Sequence, residues 1–436
     1  MTPFSLLRAR KLVQESYHDD RKTFPPSART NLIKVMYIIS DLSIGGAEMM
    51  LYKLLVQTDR DRFEPLVISL IDQGALRERI EALGIRVHTV GMKAGRPTPL
   101  GLWRLIRLIR RIKPDLILGW MYHSCLAAEL AKIFSRHRAP VLWSIHYSIS
   151  SLANEKKLTA AVIKMCGVLS RLPAKIIYVS HAAQSQHEPL GYRVENSCVI
   201  PNGIDVNEFL PSAAARLSVR DELGITQDAF LIGLTGRYHP MKDHHNFLKA
   251  AALISRTHPT THFVLIGKDV AHTNQRLCNS IDELRLGGRT HLLGERHDTA
   301  RLAAALDICS LSSAYGESCP NVIGEAMACA VPCVVTDVGD AMWIVGATGK
   351  VIPPRDASAL AAGWKEMIEL KPADRRALGR LARLRVTQNF PIQSVIVRYE
   401  DLFESALAKD LPAEFVSPPS EQSTHLSLAF EKTNLQ

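Results

Sequence analysis

The feature that most constrains this chain is a repeated alternation of short apolar runs with longer helical segments. The first run, Ile33 to Ser40, has the length of a strand and ends in Asp41-Leu42-Ser43-Ile44-Gly45-Gly46, after which a helical pattern begins near Ala47. Leu66 to Leu70, Ile85 to Val90, Asp115 to Leu118, Val141 to His146 and Ile176 to Ser180 continue the series. Runs that are apolar throughout need cover on both faces, and a parallel sheet with helices on either side supplies it. The alternation pauses at Ile200-Pro201-Asn202-Gly203-Ile204-Asp205. It restarts with Phe230 to Thr235, Phe263 to Ile266, His291 to Leu293, Ile308 to Leu311 and Val331 to Thr336. For 436 residues, two successive doubly wound α/β units fit the usual domain size of about 100–200 residues better than one large sheet.

Composition narrows the function classes. With 47% hydrophobic and 22% charged residues the chain has the apolar content of a folded globular protein, which excludes an intrinsically disordered chain. The 8 cysteines form no C-x-x-C pair and are expected as buried free thiols. No window approaches the ~18 uninterrupted apolar residues of a membrane span, and the first residues lack an apolar signal core, so a cytoplasmic protein is expected. The net charge of +10 favours anionic partners without choosing among them. Nucleic acid is not expected, because the basic residues are dispersed and not interleaved with stacking aromatics.

Familiar nucleotide signatures fail. No G-x-G-x-x-G follows the first strand, and Gly346-Ala347-Thr348-Gly349-Lys350 lacks the spacing and the hydroxyl of a P-loop. Asp59-Arg60-Asp61 spells a D-x-D but lies between a helix and a strand, on the side away from where open α/β sheets bind ligands. Gly45-Gly46 could let backbone N–H groups face an anion at a helix N-terminus, or could simply make a tight turn. Arg237 and Lys242, five residues apart in GLTGRYHPMKDHHNF, could converge on a diphosphate or belong to a solvated basic loop. In SSAYGESCPNVIGEAMACAVPCVVTD, Glu317 falls in a loop and Glu325 on a helix whose first turn is expected to hold Pro320. The orphan N–H groups near Asn321 could meet a phosphate. A ribose diol would supply the hydrogen bonds that a half-buried Glu325 needs, and the apolar neighbours, Val322 among them, argue against full exposure.

Taken together, these motifs resemble retaining glycosyltransferase family 4, of the two-domain GT-B fold, with Rossmann-like sheets facing across a cleft. The glycine loop, PNGID at 201–205, Arg237 with Lys242, the E-x7-E pair and VPCVVTDVGD at 331–340 occur in the family's order. The resemblance implies a polar leader over 1–30, an acceptor domain over 31–203 and a donor domain over 204–388. A C-terminal helix over 389–410 would return to the first domain, followed by a tail over 411–436. It further implies transfer of a sugar, with retention, from a UDP- or GDP-sugar to a saccharide or lipid-linked acceptor in cell-surface polysaccharide synthesis. No cofactor and no metal are expected. Donor binding would fall to Gly45, Gly46, Arg237, Lys242, Arg296, Glu317, Asn321, Val322 and Glu325. Catalysis would fall to His123 (in GWMYHS), Arg237, Lys242 and Glu317. The alternatives are a nucleotide-sugar 2-epimerase of the same fold and a non-catalytic subunit. The chain departs from the family pattern at Lys268-Asp269, at Ser318-Cys319-Pro320-Asn321 and at Ala330, where glycine is common; the last is expected to affect packing alone.

One segment points to a further partner. On a helix over 100–112, Leu102, Leu105, Ile106, Leu108, Ile109 and Ile112 share one arc, while Trp103, Arg104, Arg107, Arg110 and Arg111 lie on the other. Such a face suits an anionic membrane surface, with the protein peripheral on the inner face of the cytoplasmic membrane. The alternative is an ordinary surface helix packed on its sheet.

Overall fold

The computed structural model describes residues 32–408 except 73, 94–97 and 150. The expected leader over 1–30 and tail over 411–436 lie outside these residues.

The first sheet is built from β1 (Ile33–Ile39), β2 (Phe63–Ile71), β3 (Val87–Met92), β4 (Leu116–Trp120), β5 (Val141–Ile145), β6 (Lys175–Tyr178) and β7 (Ser197–Val199). Its order is β3-β2-β1-β4-β5-β6-β7, and every pairing is parallel. The helices that matter below are α1 (Gly46–Gln57), α2 (Pro99–Ile112), α3 (Tyr122–Ser135) and α4 (His181–His187). The second sheet comprises β8 (Phe230–Thr235), β9 (Thr261–Ile266), β10 (Thr290–Leu292), β11 (Ile308–Leu311), β12 (Cys333–Thr336) and β13 (Lys350–Ile352). It is parallel throughout, in the order β10-β9-β8-β11-β12-β13. Helix α5 (Asn321–Ala328) follows β11, and α6 (Ile392–Leu407) is the last described element. β7 and β13 were not expected from the sequence. Each is a three-residue edge strand.

Both sheets are buried on both faces, as their unbroken apolar strands require: Val35 to Ile38 are 0% exposed, and so are Leu231 and Ile232. The chain passes out of the first unit at Ile204 and back at Pro391, and the two crossings bond to each other. Ile204 N donates to Phe390 O at 2.8 Å and Ile392 N to Ile204 O at 2.9 Å. Helix α6 then packs on the first sheet. Val395, Ile396, Tyr399, Leu402 and Phe403 join the core of β1 and β2, and Phe403 meets Tyr37 and Phe63 edge-on at 6.3 and 5.9 Å.

Candidate active site

Each sheet reverses its winding once, between β1 and β4 and between β8 and β11. At such a point the flanking connections leave in opposite directions and open a crevice beyond the carboxyl ends of the strands. Gly45 and Gly46 follow β1, His123 follows β4, Arg237 and Lys242 follow β8, and Glu317 follows β11. These expected residues therefore border the two crevices.

In the second domain the two crevice loops are tied together. Lys242 Nζ lies 2.5 Å from Glu317 Oε1, with the side chains 14% and 8% exposed, and Ser313 Oγ donates to the same oxygen at 2.6 Å. Ser312 Oγ donates to Lys242 O at 2.7 Å, and Ala314 N to Met241 O at 2.8 Å. The pair is thus held from both backbones. It can orient a ligand through Glu317 Oε2, which has no partner among the described residues. Arg237 is exposed and makes no ion pair among them, a cation free to meet an anion.

Across from it, Gly45 is the extended N-cap of α1, and a Cβ there would sit 2.3 Å from Glu48 Oε2. The glycine makes room for Glu48 to fold back on the helix N-terminus. Burial raises the Glu48 carboxyl above the usual range, opposed by its own backbone amide; Asp41 adds to the rise and Arg237 opposes it. Gly46 opens the helix, with open space where a side chain would be. His123, in the first turn of α3, is half-buried, and burial lowers its pKa. It is neutral at pH 7 and can donate or accept a hydrogen bond.

Helix α5 begins at Asn321, so Pro320 is its extended N-cap and not, as expected, a residue of the first turn. Glu325 projects toward the first domain, where Lys53 Nζ of α1 lies 3.3 Å from its Oε1 and 5.8 Å from the Phe209 ring. Asn321 turns instead toward the domain crossing. It lines a cavity of about 10 Å³ with Asn202, Cys319 and Phe390, and its Oδ1 is buried without a partner among the described residues. Val322 is half-buried against the second core. Arg296 is not brought to the others. It follows the edge strand β10 and is held by Asp298 at 2.8 Å on two nitrogens and by Glu222 at 2.7 Å, in a network that includes Arg301. These carboxylates already neutralise its charge.

Sequence reasoning missed Lys53, which carries no motif, and Tyr147 in the loop after β5. Tyr147 OH donates to Glu155 Oε1 at 2.9 Å, and a Cβ on Gly316 would lie 3.3 Å from that hydroxyl. The loop of Glu317 therefore touches the first domain. The D-x-D run is elsewhere, at the amino end of β2, where Asp59 N donates to Glu400 Oε1 at 2.9 Å and Arg62 pairs with Glu400 and Glu404. It seats α6.

Comparison with known proteins agrees with this layout. Residues 44–208 match the family described as Glycosyltransferase Family 4, and residues 229–369 match Glycosyl transferases group 1. EpsF of Bacillus subtilis (strain 168) is 26% identical over 320 residues, which is 70% of this chain and 79% of EpsF. The UDP-Gal:alpha-D-GlcNAc-diphosphoundecaprenol alpha-1,3-galactosyltransferase of Escherichia coli is 32% identical over 142 residues, 32% of this chain and 36% of that enzyme. Among solved structures, Anabaena Alr3699/HepE in complex with UDP and glucose superposes with a TM-score of 0.74 at 25% identity, covering 86% of this chain and 100% of that one. Sucrose-phosphate synthase from Thermosynechococcus elongatus, at 19% identity and a TM-score of 0.73, covers 86% of this chain and 100% of its own and shares the fold. With two parallel doubly wound sheets, their crevice loops facing each other and a family match on each domain, the chain belongs to glycosyltransferase family 4 and is a glycosyltransferase of the GT-B fold.

Proposed function

We propose that this enzyme takes its sugar from a nucleotide diphosphate donor and passes it, with retention of configuration, to a lipid-linked saccharide acceptor in cell-surface polysaccharide synthesis. The observation that carries this reading is the exposed Arg237, without an ion pair among the described residues, beside the buried Lys242–Glu317 pair at the winding reversal of the second sheet. Arg237 and Lys242 would neutralise the charge that builds on the leaving diphosphate, the step at which fixed cations lower a barrier most. Glu317 Oε2 would accept from a hydroxyl of the donor sugar, and Glu325 would hold the ribose diol. His123 would face the sugar from the first domain. The leaving phosphate would itself help deprotonate the acceptor on the same face, with no metal required. Support for the donor comes from HepE, solved with UDP and with UDP-glucose. Support for the acceptor comes from the Escherichia coli relative, whose name specifies a diphosphoundecaprenol-linked sugar. The outer face of α2 would hold the enzyme on the inner surface of the membrane.

The test is a panel of UDP- and GDP-sugars scored for thermal stabilisation and slow hydrolysis in excess EDTA, followed by variants. Arg237→Ala and Lys242→Ala are expected to lower turnover about 10²–10³-fold. Glu325→Ala is expected chiefly to weaken nucleotide binding. Folded variants with wild-type kinetics would remove the site assignment. Activity abolished by EDTA and restored by magnesium or manganese would remove the metal-free mechanism.

A further inference from the structure

Asp340 closes the run VPCVVTDVGD and lies apart from the crevice residues Arg237, Lys242 and Glu317 in sequence. It is 4% exposed, and its carboxylate is engaged entirely by the first domain. Oδ2 accepts from His181 N at 2.8 Å and lies 3.0 Å from His181 Nδ1, while Oδ1 accepts from Ala182 N at 2.9 Å. These are the first amides of α4, which have no acceptor within the helix. Ser180, the N-cap, satisfies the next one through its Oγ to Ala183 N at 3.0 Å. Asp340 thus completes, from across the domain boundary, the cap that Ser180 begins.

The same residue is bonded to the loop that carries Glu317. Asp340 N donates to Ser318 O at 2.9 Å, and the hydroxyls of Ser318 and Ser180 lie 2.6 Å apart, both residues buried. Gly339, at φ +58°, packs so closely that a Cβ would sit 2.3 Å from Glu317 O. A continuous set of hydrogen bonds therefore runs from α4 of the first domain through Asp340 and Ser318 and ends one residue from Glu317.

We propose that Asp340 is a positioning residue that couples docking of the two domains to the placement of Glu317. A buried carboxylate is costly unless its hydrogen bonds are made. Opening the domains at this edge would strip Asp340 of its three donors and expose the α4 amides. While the domains are docked, the Ser318 carbonyl and hydroxyl are both held and the Glu317 backbone cannot drift. When they part, the Ser318 hydroxyl loses Ser180, and Asp340, whose amide holds the Ser318 carbonyl, loses the three donors that fix it. The proposal rests on the reading of Glu317 as a ligand of the donor sugar.

The test breaks the clasp from either side in the full-length protein. Asp340→Ala removes the acceptor. His181→Pro removes one amide and the imidazole, and proline suits the first position of a helix after a residue as extended as Ser180 (φ −157°, ψ 153°). Three readouts are taken: hydrogen exchange of segment 313–320, affinity for UDP or GDP by calorimetry, and turnover of whichever nucleotide sugar the wild type hydrolyses. Each variant should exchange faster in that segment. Each should keep nucleotide affinity while losing about 100-fold in kcat, the scale of a misplacement near 1 Å. The double variant should be no slower than the single ones, because the two changes break one interaction. Unchanged exchange or unchanged kcat in a folded variant would overturn the proposal, as would nucleotide affinity falling in step with kcat. A wild type that binds no nucleotide would sink the functional reading, while the exchange data would still judge the clasp.

Discussion

Single residues separate what a motif predicts from what a neighbourhood imposes. The Lys242–Glu317 pair could be suspected from the sequence, because both ends sit in recognisable motifs. Its 2.5 Å contact and the Ser313 hydroxyl that shares Oε1 could not. Ala330 was expected to matter only for packing, and the structure corrects this. Helix α5 ends in a Schellman turn, with Val331 N donating to Ala326 O at 3.0 Å and Ala330 N to Met327 O at 2.9 Å. Ala330 is the residue that must be left-handed, at φ +59°, where a side chain costs about 1–2 kcal/mol. Glu129 of α3 is another residue whose setting no local pattern announces. It is 1% exposed, and burial pushes its carboxyl up to about 7, partly opposed by Lys132. Between the ordinary carboxyl pKa of about 4.3 and that value, the unfolded chain releases a proton that the folded chain keeps. The stability associated with the neutral group is therefore full at low pH and is lost as pH rises toward 7. Glu129→Gln should gain on the wild type by about 2 kcal/mol between pH 5 and pH 8, read from urea unfolding at each pH. A constant difference across that range would mean the carboxyl is ionised in the fold.

Helix α2 is the element whose two faces were most legible, because a period of 3.6 residues sorts side chains without help from the rest of the fold. Leu105 and Ile109 are 0% exposed and Trp103 is 53% exposed, so the apolar arc does pack on the sheet. Where the four arginines end was not legible, since it depends on neighbours distant in sequence. Arg104 donates to Val90 O at 3.0 Å and Arg110 to Phe134 O at 2.9 Å. Arg107 lies over the Trp103 ring at 5.5 Å, and none of the four forms an ion pair among the described residues. Arg107 and Arg111, both exposed, remain the side chains freest to meet a lipid phosphate. At about 1 kcal/mol for each basic residue at an anionic surface, Arg107→Glu with Arg111→Glu should cut sedimentation with anionic vesicles at least tenfold. Equal binding to zwitterionic vesicles, or an unaffected double variant, would leave α2 a packing helix alone. The edge strands β7 and β13 escaped detection for the opposite reason. Ser197–Val199 and Lys350–Ile352 form strands through their pairing with β6 and β12, which no local pattern records.

At the scale of the molecule, the last helix belongs to the first core. Phe403 is 1% exposed among Tyr37, Phe63 and Tyr399, so Phe403→Ala should cost about 3–5 kcal/mol. The loss should appear as faster hydrogen exchange in β1 and β2, although the substitution lies near the chain's other end. Faster exchange confined to α6 would show that the helix is only laid on. The amino-acid sequence by itself determined the two doubly wound sheets, because unbroken apolar strands separated by helices leave few other ways to cover both faces. It also placed the crevice residues, because a parallel strand delivers the residues after it to one end of the sheet. Tertiary structure alone decided that Lys53 meets Glu325, that Arg296 is spent on Asp298 and Glu222, and that Asp340 caps α4. These are contacts between side chains remote in sequence. Periodicity describes how one element presents itself, and it holds no record of which element will stand opposite.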